Sequence, residues 1–185
     1  MTTIEPATLH GTDDPRLTKL AAELAGDPVT GVRYRLPSGT DLTAEDVHDV
    51  GSAVELALGS GRVLALSWGT PGLDEGLAIE VRQDGTDGDR VDVSDDPHWS
   101  AVVGKPIEEL AVAFFRYYDD SSVRPWSFRV GVSGGGSATV ALGEADGADI
   151  SYLPDNLVVI FDEARARDYR IVDALQSAWG APIGG

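Results

Sequence analysis

The sequence predicts an α+β fold that is mainly antiparallel β. It is read as two tandem pseudo-repeats, each of a short helix and about four strands, plus a C-terminal helix. Three observations predict it. A Gly-x-Pro-aliphatic cassette occurs three times, at Gly26-Asp27-Pro28-Val29, Gly104-Lys105-Pro106-Ile107 and Gly180-Ala181-Pro182-Ile183. The first two cassettes each lead into an apolar, strand-like run. Glycine turns at Gly59-Ser60-Gly61 and Gly134-Gly135-Gly136 then separate strand-like runs at matching places in the two halves, as tight hairpins require. The connections are too short for crossover helices, so antiparallel pairing is the economical arrangement.

In the first half, Asp13-Asp14-Pro15 reads as a helix start, with an acidic cap and Pro in the first turn. Leu17, Leu20, Ala21 and Leu24 follow at helical spacing, and Gly26 is the C-cap. Val32, Tyr34 and Leu36 alternate with polar residues as a first strand. Pro37 to Thr40 is turn chemistry, and the acidic stretch after it holds a helical turn around Thr43 to His48. Strands follow from Ala53 to Leu58, Arg62 to Trp68 and Leu77 to Arg82. Residues 83–96 are an acidic, Gly-containing loop and mark the boundary between the halves.

The second half repeats this order. Asp95-Asp96-Pro97 echoes Asp13-Asp14-Pro15, and a short helix from His98 to Val103 ends at Gly104. Leu110 to Tyr118 is ambiguous between helix and strand; Phe114, Phe115 and Tyr117 favour strand. Apolar residues at odd and even positions there imply burial on both faces. Trp126 to Val132, Ala138 to Leu142 and Leu157 to Phe161 are the remaining strands. From Asp162 or Glu163, Ile171, Ala174, Leu175 and Ala178 suggest the apolar face of a C-terminal helix. The repeats are therefore 13–92 and 93–185, merged in one globular domain of about eight strands with helices on one side, because four short strands alone bury too little apolar surface.

Composition narrows the function classes. The chain has 185 residues, 42 % of them hydrophobic, enough for a core without staples. It has no cysteine, which removes disulfides, thiolate metal sites and cysteine nucleophiles and fits a reducing cytoplasm. No basic segment precedes an apolar run at the N-terminus, so no signal peptide is expected. No apolar run is long enough to span a bilayer. The formal charge of -17 opposes binding to nucleic acid or an anionic membrane and suits a basic protein partner, a cation or plain solubility.

Little in the sequence carries chemistry. Gly134-Gly135-Gly136 lies between strands rather than before a helix, so it is no phosphate-binding loop. His48 has Glu45, Asp46 and Asp49 nearby, and His98 follows Asp95 and Asp96. A histidine with carboxylates can ligate a divalent metal. No two histidines are close in sequence, however, and caps and solvated loops account for these acids, so neither metal nor cofactor is expected. Asp84-Gly85-Thr86-Asp87-Gly88-Asp89 lacks the glutamate and the helix of a calcium loop. No serine sits in Gly-x-Ser-x-Gly. Asp119-Asp120 suits acid–base work only in a cleft and otherwise reads as a solvated turn. Trp68, Trp126 and Tyr152, with Arg124, are the residue types that anchor interfaces, though equally at home at a core edge. With Asp119 and Asp120 they form the candidate binding set. No catalytic residue is assigned.

Trp99, Gly104-Lys105-Pro106-Ile107, Arg124-Pro125-Trp126-Ser127, Gly143-Glu144 and Tyr152-Leu153-Pro154-Asp155-Asn156-Leu157 running into Val158 to Asp162 resemble a pattern in small bacterial proteins of the immunity type. Such proteins are encoded beside secreted toxins and neutralise them by binding. The resemblance covers residues 99–169, and its motifs mark turns and strand ends. No functional residue carries over, since such families bind through variable surfaces. The charge, the missing catalytic constellation and this resemblance together point to a non-enzymatic binding protein of the immunity or inhibitor type whose acidic surface binds a basic partner such as a toxin; a cytoplasmic monomer or homodimer is expected. The alternative is a small-ligand-binding protein or enzyme with its site in the cleft between the repeats.

Overall fold

The computed structural model describes residues 2–4, 14–36, 46–69, 75–85, 90–147 and 149–183. In the first half, β1 (Thr2–Ile4) precedes α1 (Pro15–Leu24), β2 (Val29–Arg35), β3 (Val47–Asp49), β4 (Ala53–Leu58), β5 (Arg62–Gly69), β6 (Gly76–Gln83) and β7 (Val91–Asp92). A 3-10 turn at Pro97–Ala101 opens the second half. It is followed by β8 (Ile107–Tyr117), β9 (Arg124–Val132), β10 (Ser137–Leu142), the small hairpin β11 (Glu144–Asp146) and β12 (Asp149–Ser151), β13 (Leu157–Ile160), α2 (Glu163–Asp168) and β14 (Ala174–Gln176).

Two six-stranded sheets carry the fold, where the sequence suggests about eight strands. Their orders are β1-β6-β5-β4-β2-β7 and β14-β8-β9-β10-β13-β3. All pairings among the described residues are antiparallel. Read from the β3 end, the second sheet runs in the order of the first, with β13, β10, β9 and β8 in the places of β6, β5, β4 and β2. The two ladders share a slip at their start, and β8–β9 has a second one between Ala113 and Phe114. Val29 pairs with Leu58 and the ladder slips before Gly31; Ile107 pairs with Val132 and the ladder slips before Glu109. Each of these two shared slips is a bulge at the start of a strand, where extra twist turns the strand into its sheet.

The cassettes explain how the two sheets are joined. Pro28 and Pro106 face each other as an antiparallel bridge. Around them Gly26 N donates to Ile107 O (2.9 Å), Gly104 N to Val29 O (2.7 Å), Ile107 N to Asp27 O (3.0 Å) and Val29 N to Lys105 O (3.0 Å). Proline has no N–H, and both prolines occupy the one pair of this short ladder that needs none. Gly26 and Gly104 turn the chain into it at φ 79° and 83°, conformations that glycine adopts without strain. The third copy is different: Gly180 N donates to Val112 O (3.1 Å) at the flank of β8.

One hydrophobic core spans both sheets, from Leu20, Val32, Tyr34 and Leu66 to Phe114, Phe128, Val159 and Ile171. Strand β6 lies directly against β9. The stretch Ala111–Phe115 is strand and buried throughout, as burial on both faces demands.

Several expectations need correction. The C-terminal helix stops at Asp168. Asp173 takes a left-handed φ of 59°, which no helix accommodates, and Ala174–Gln176 instead pairs with Phe115–Tyr117 as an edge strand. The helix expected at His98 to Val103 is a five-residue 3-10 turn. Residues 37–45 lie outside the described residues, but Val47–Asp49 is strand rather than helical turn, and it pairs with β13 of the second half. Of the loop Asp84–Asp89, only Asp84 and Gly85 are among the described residues. No helix among the described residues is long and apolar enough to cross a membrane.

Candidate functional site

Because β3 crosses to the second sheet, His48 is carried into the seam between the halves. Val159 faces it in the register, and Phe161 follows β13. On the other side of the seam, Asp96 caps the 3-10 turn by accepting from His98 N (2.9 Å), a role short acidic residues fill at helix starts. The same turn carries His98 and the fully buried Trp99. Ligand atoms of His48, Asp96 and His98 all lie within 4.8 Å of one another. His48 Nε2 is 3.8 Å from Asp96 Oδ2, and His98 Nδ1 is 3.0 Å from Asp96 Oδ1.

A buried chain holds this group from behind. Trp99 Nε1 donates to Tyr34 Oη (2.6 Å), which lies 2.9 Å from His48 Nδ1. Phe161 stacks on His98 (centroids 5.2 Å apart) and meets His48 edge to face at 4.9 Å. Tyr34 and Trp99 are fully buried and His48 is 2 % exposed, whereas Asp96 and His98 keep 27 % and 35 % of their side chains open to solvent.

The electrostatics follow from that burial. Desolvation, aided by repulsion from His98, lowers the pKa of His48 against the pull of Asp96, so the ring stays neutral over a wider range. For Asp96, burial opposes ionisation, but donation from the backbone and ring of His98 and the two imidazoles outweigh it and hold the carboxyl below its usual range. Burial drives the Tyr34 phenol far above its ordinary value, so it remains protonated.

The sequence-derived binding set is divided. Asp120, Arg124 and Tyr152 do come together. Arg124 Nη2 contacts Asp120 Oδ2 at 2.6 Å and lies over Phe115 and Tyr117. Tyr117 and Tyr152 both donate to Glu75 Oε1, at 2.9 and 2.8 Å. Burial and the neighbouring Glu75 carboxylate raise the Tyr152 phenol far above its ordinary pKa. Arg124 is 7 % exposed, so it braces β8 and β9 rather than presenting itself to a partner. Asp119 is exposed. Trp68, at the end of β5, keeps its indole nitrogen buried with no hydrogen-bond partner among the described residues.

Trp126 is 3 % exposed and cannot be a surface anchor. It lines a groove of about 340 Å³ between α2 and the C-terminal segment, with Arg167, Arg170 and Trp179 on the rim. Its indole nitrogen also lacks a partner among the described residues, while Trp179 Nε1 donates to Ser127 Oγ (3.0 Å).

Comparison with known proteins gives no identity. No protein-family model, curated protein or solved structure matches this chain. The seam group was missed in sequence because its two histidines are fifty positions apart. Its only local signal is Asp96-x-His98, where the cap places both side chains on one side of the turn.

Proposed function

We propose that this is a non-enzymatic binding protein of the immunity or inhibitor type, which uses an acidic surface to engage a basic protein. The carrying observation is how the cations are used. The fourteen basic residues less Lys19 and Lys105 leave twelve arginines. Among the described residues ten of these, all but Arg116 and Arg170, are ion-paired to carboxylates of the chain itself. Glu55 alone takes four. Glu144, Asp146 and Asp149, exposed on the β11–β12 hairpin, are in no ion pair among the described residues. The hairpin is fixed at its base, because Asp49 accepts from Ala145 N (3.3 Å) and Asn156 Nδ2 (2.8 Å). Fixed carboxylates of one sign raise the encounter rate with a basic partner.

The reading includes a cytoplasmic location, consistent with the absence of cysteine. It is tested by capture from native lysate with wild type and with Glu144→Gln/Asp146→Asn/Asp149→Asn. Wild type is expected to retain a basic protein, and the triple variant to associate more slowly, by about tenfold. Recovery of no basic protein together with tight retention of a small molecule would overturn it.

We also infer that the halves are tandem pseudo-repeats. What supports this is the shared strand order, the bulge at equivalent positions, and four cassette hydrogen bonds related by exchanging Gly26–Val29 with Gly104–Ile107.

A further inference from the structure

The seam group has the make-up of a ligand set rather than of a packing contact. We propose that His48, Asp96 and His98 bind a divalent transition-metal ion of the zinc class. Two imidazole nitrogens and one carboxylate oxygen suit zinc, cobalt or nickel and do not suit calcium or magnesium, which prefer oxygen. Zinc bonds of about 2.0–2.1 Å in tetrahedral geometry separate ligand atoms by roughly 3.3 Å. The His48 Nε2 to Asp96 Oδ2 distance of 3.8 Å is too long for a hydrogen bond and close to that spacing. The widest separation allowed in the group, 4.8 Å, closes by small movements of Asp96 and His98. Both are partly exposed, which also gives an ion its way in.

The groups behind the site fit the same role. A metal-bound histidine characteristically has its second ring nitrogen held by a hydrogen-bond partner. His48 Nδ1 faces Tyr34 Oη at 2.9 Å, and Tyr34 is pinned by the Trp99 indole. The indole can only donate, so the Tyr34 oxygen accepts from it and has a second lone pair left. With a metal on Nε2, that lone pair takes the Nδ1 proton. With Nε2 protonated instead, Tyr34 donates to Nδ1. Phe161 fixes the planes of both imidazoles. Three protein ligands leave a fourth position for water or for a side chain of another molecule.

The test uses the full chain, freed of any affinity tag and of metal. Calorimetric titration with zinc is expected to show one site per chain, and cobalt to give the visible absorption of a tetrahedral complex. His98→Ala and Asp96→Asn should each weaken zinc binding by at least about tenfold. Tyr34→Phe, which touches no ion, should weaken it by a similar factor through His48. Zinc should raise the Tm of wild type and leave that of His98→Ala unmoved; His98 is exposed enough for this variant to fold, as its circular dichroism will report. Zinc affinity unchanged in folded His98→Ala, or no binding by wild type at millimolar zinc, would overturn the proposal. Neither result bears on the capture of a basic protein.

Discussion

Glu55→Gln removes the carboxylate shared by four guanidinium groups. Glu55 sits on the central strand β4, 1 % exposed. Arg82 Nη2 is 2.7 Å from it, Arg90 Nε 3.0 Å, Arg35 Nη2 3.2 Å and Arg33 Nη2 3.6 Å. Arg33 has a second acid in Asp84 (2.7 Å) and Arg82 one in Glu80 (3.5 Å). No second carboxylate is paired with Arg90 among the described residues, and its side chain is 9 % exposed. Removing one partner of a buried ion pair costs about 3–5 kcal/mol, because the other charge stays desolvated and unmatched. Arg35, 42 % exposed, adds little to that figure. At roughly 2–4 °C per kcal/mol for a chain of this size, Tm should fall by about 6–20 °C. Urea denaturation of Glu55→Gln, Arg82→Met and the double variant measures it. The double variant should lose less than the sum of the two singles, by about 1 kcal/mol or more. A Glu55→Gln variant within about 1 kcal/mol of wild type, or strictly additive losses, would refute the view that this glutamate neutralises the arginines of the first sheet.

Other outcomes follow from the same structure. Gly136→Ala would put a Cβ 2.0 Å from the Ala101 carbonyl oxygen, forcing apart the β9–β10 turn and the 3-10 turn; a loss of at least about 2 kcal/mol is expected in denaturant melts. Gly134→Ala, at φ 80° with open space around it, should cost only about 1 kcal/mol of left-handed strain. Trp99→Phe removes the donor to Tyr34 and part of a fully buried ring, and should cost at least about 1–3 kcal/mol by the same assay. The pKa of His48 is lowered by folding, so below about pH 6.5 the unfolded chain binds more protons than the folded one. Its contribution is therefore full above that pH and is lost as pH falls; the lowered carboxyl of Asp96 adds to the loss further into acid. The groups facing His48 are Tyr34, Asp96 and His98. A stability–pH profile of His48→Gln should be flatter than wild type below about pH 6.5, and an equally steep profile would contradict this.

The legible parts of the fold were those set by local chemistry. Asp14 before Pro15, Gly26 after Leu24, and Gly61 and Gly135 in the two β-turns fix elements within a few residues. The aromatics of β8 decided a strand where periodicity alone was ambiguous. The illegible parts depend on partners distant in sequence. Ile171, Ala174, Leu175 and Ala178 do have helical spacing, but Asp173 breaks the chain and the free edge of β8 supplies a ladder for Ala174–Gln176. Val47–Asp49 is too short to be read as a strand, and its pairing with β13 across the halves is what brings His48 to His98. The cassette reads locally as a helix stop; that two copies hydrogen-bond to each other is a tertiary fact. Burial likewise divided the binding set, since Trp126 and Arg124 have interface chemistry but core positions.

The central claim, an acidic surface that engages a basic protein, is tested most directly by the rate at which the captured partner associates as ionic strength is varied. The association rate constant should fall by about tenfold or more between roughly 0.01 and 0.15 M salt while the dissociation rate constant changes little, and neutralising Glu144, Asp146 and Asp149 should remove much of that dependence. An association rate indifferent to salt, or to those three charges, would contradict it.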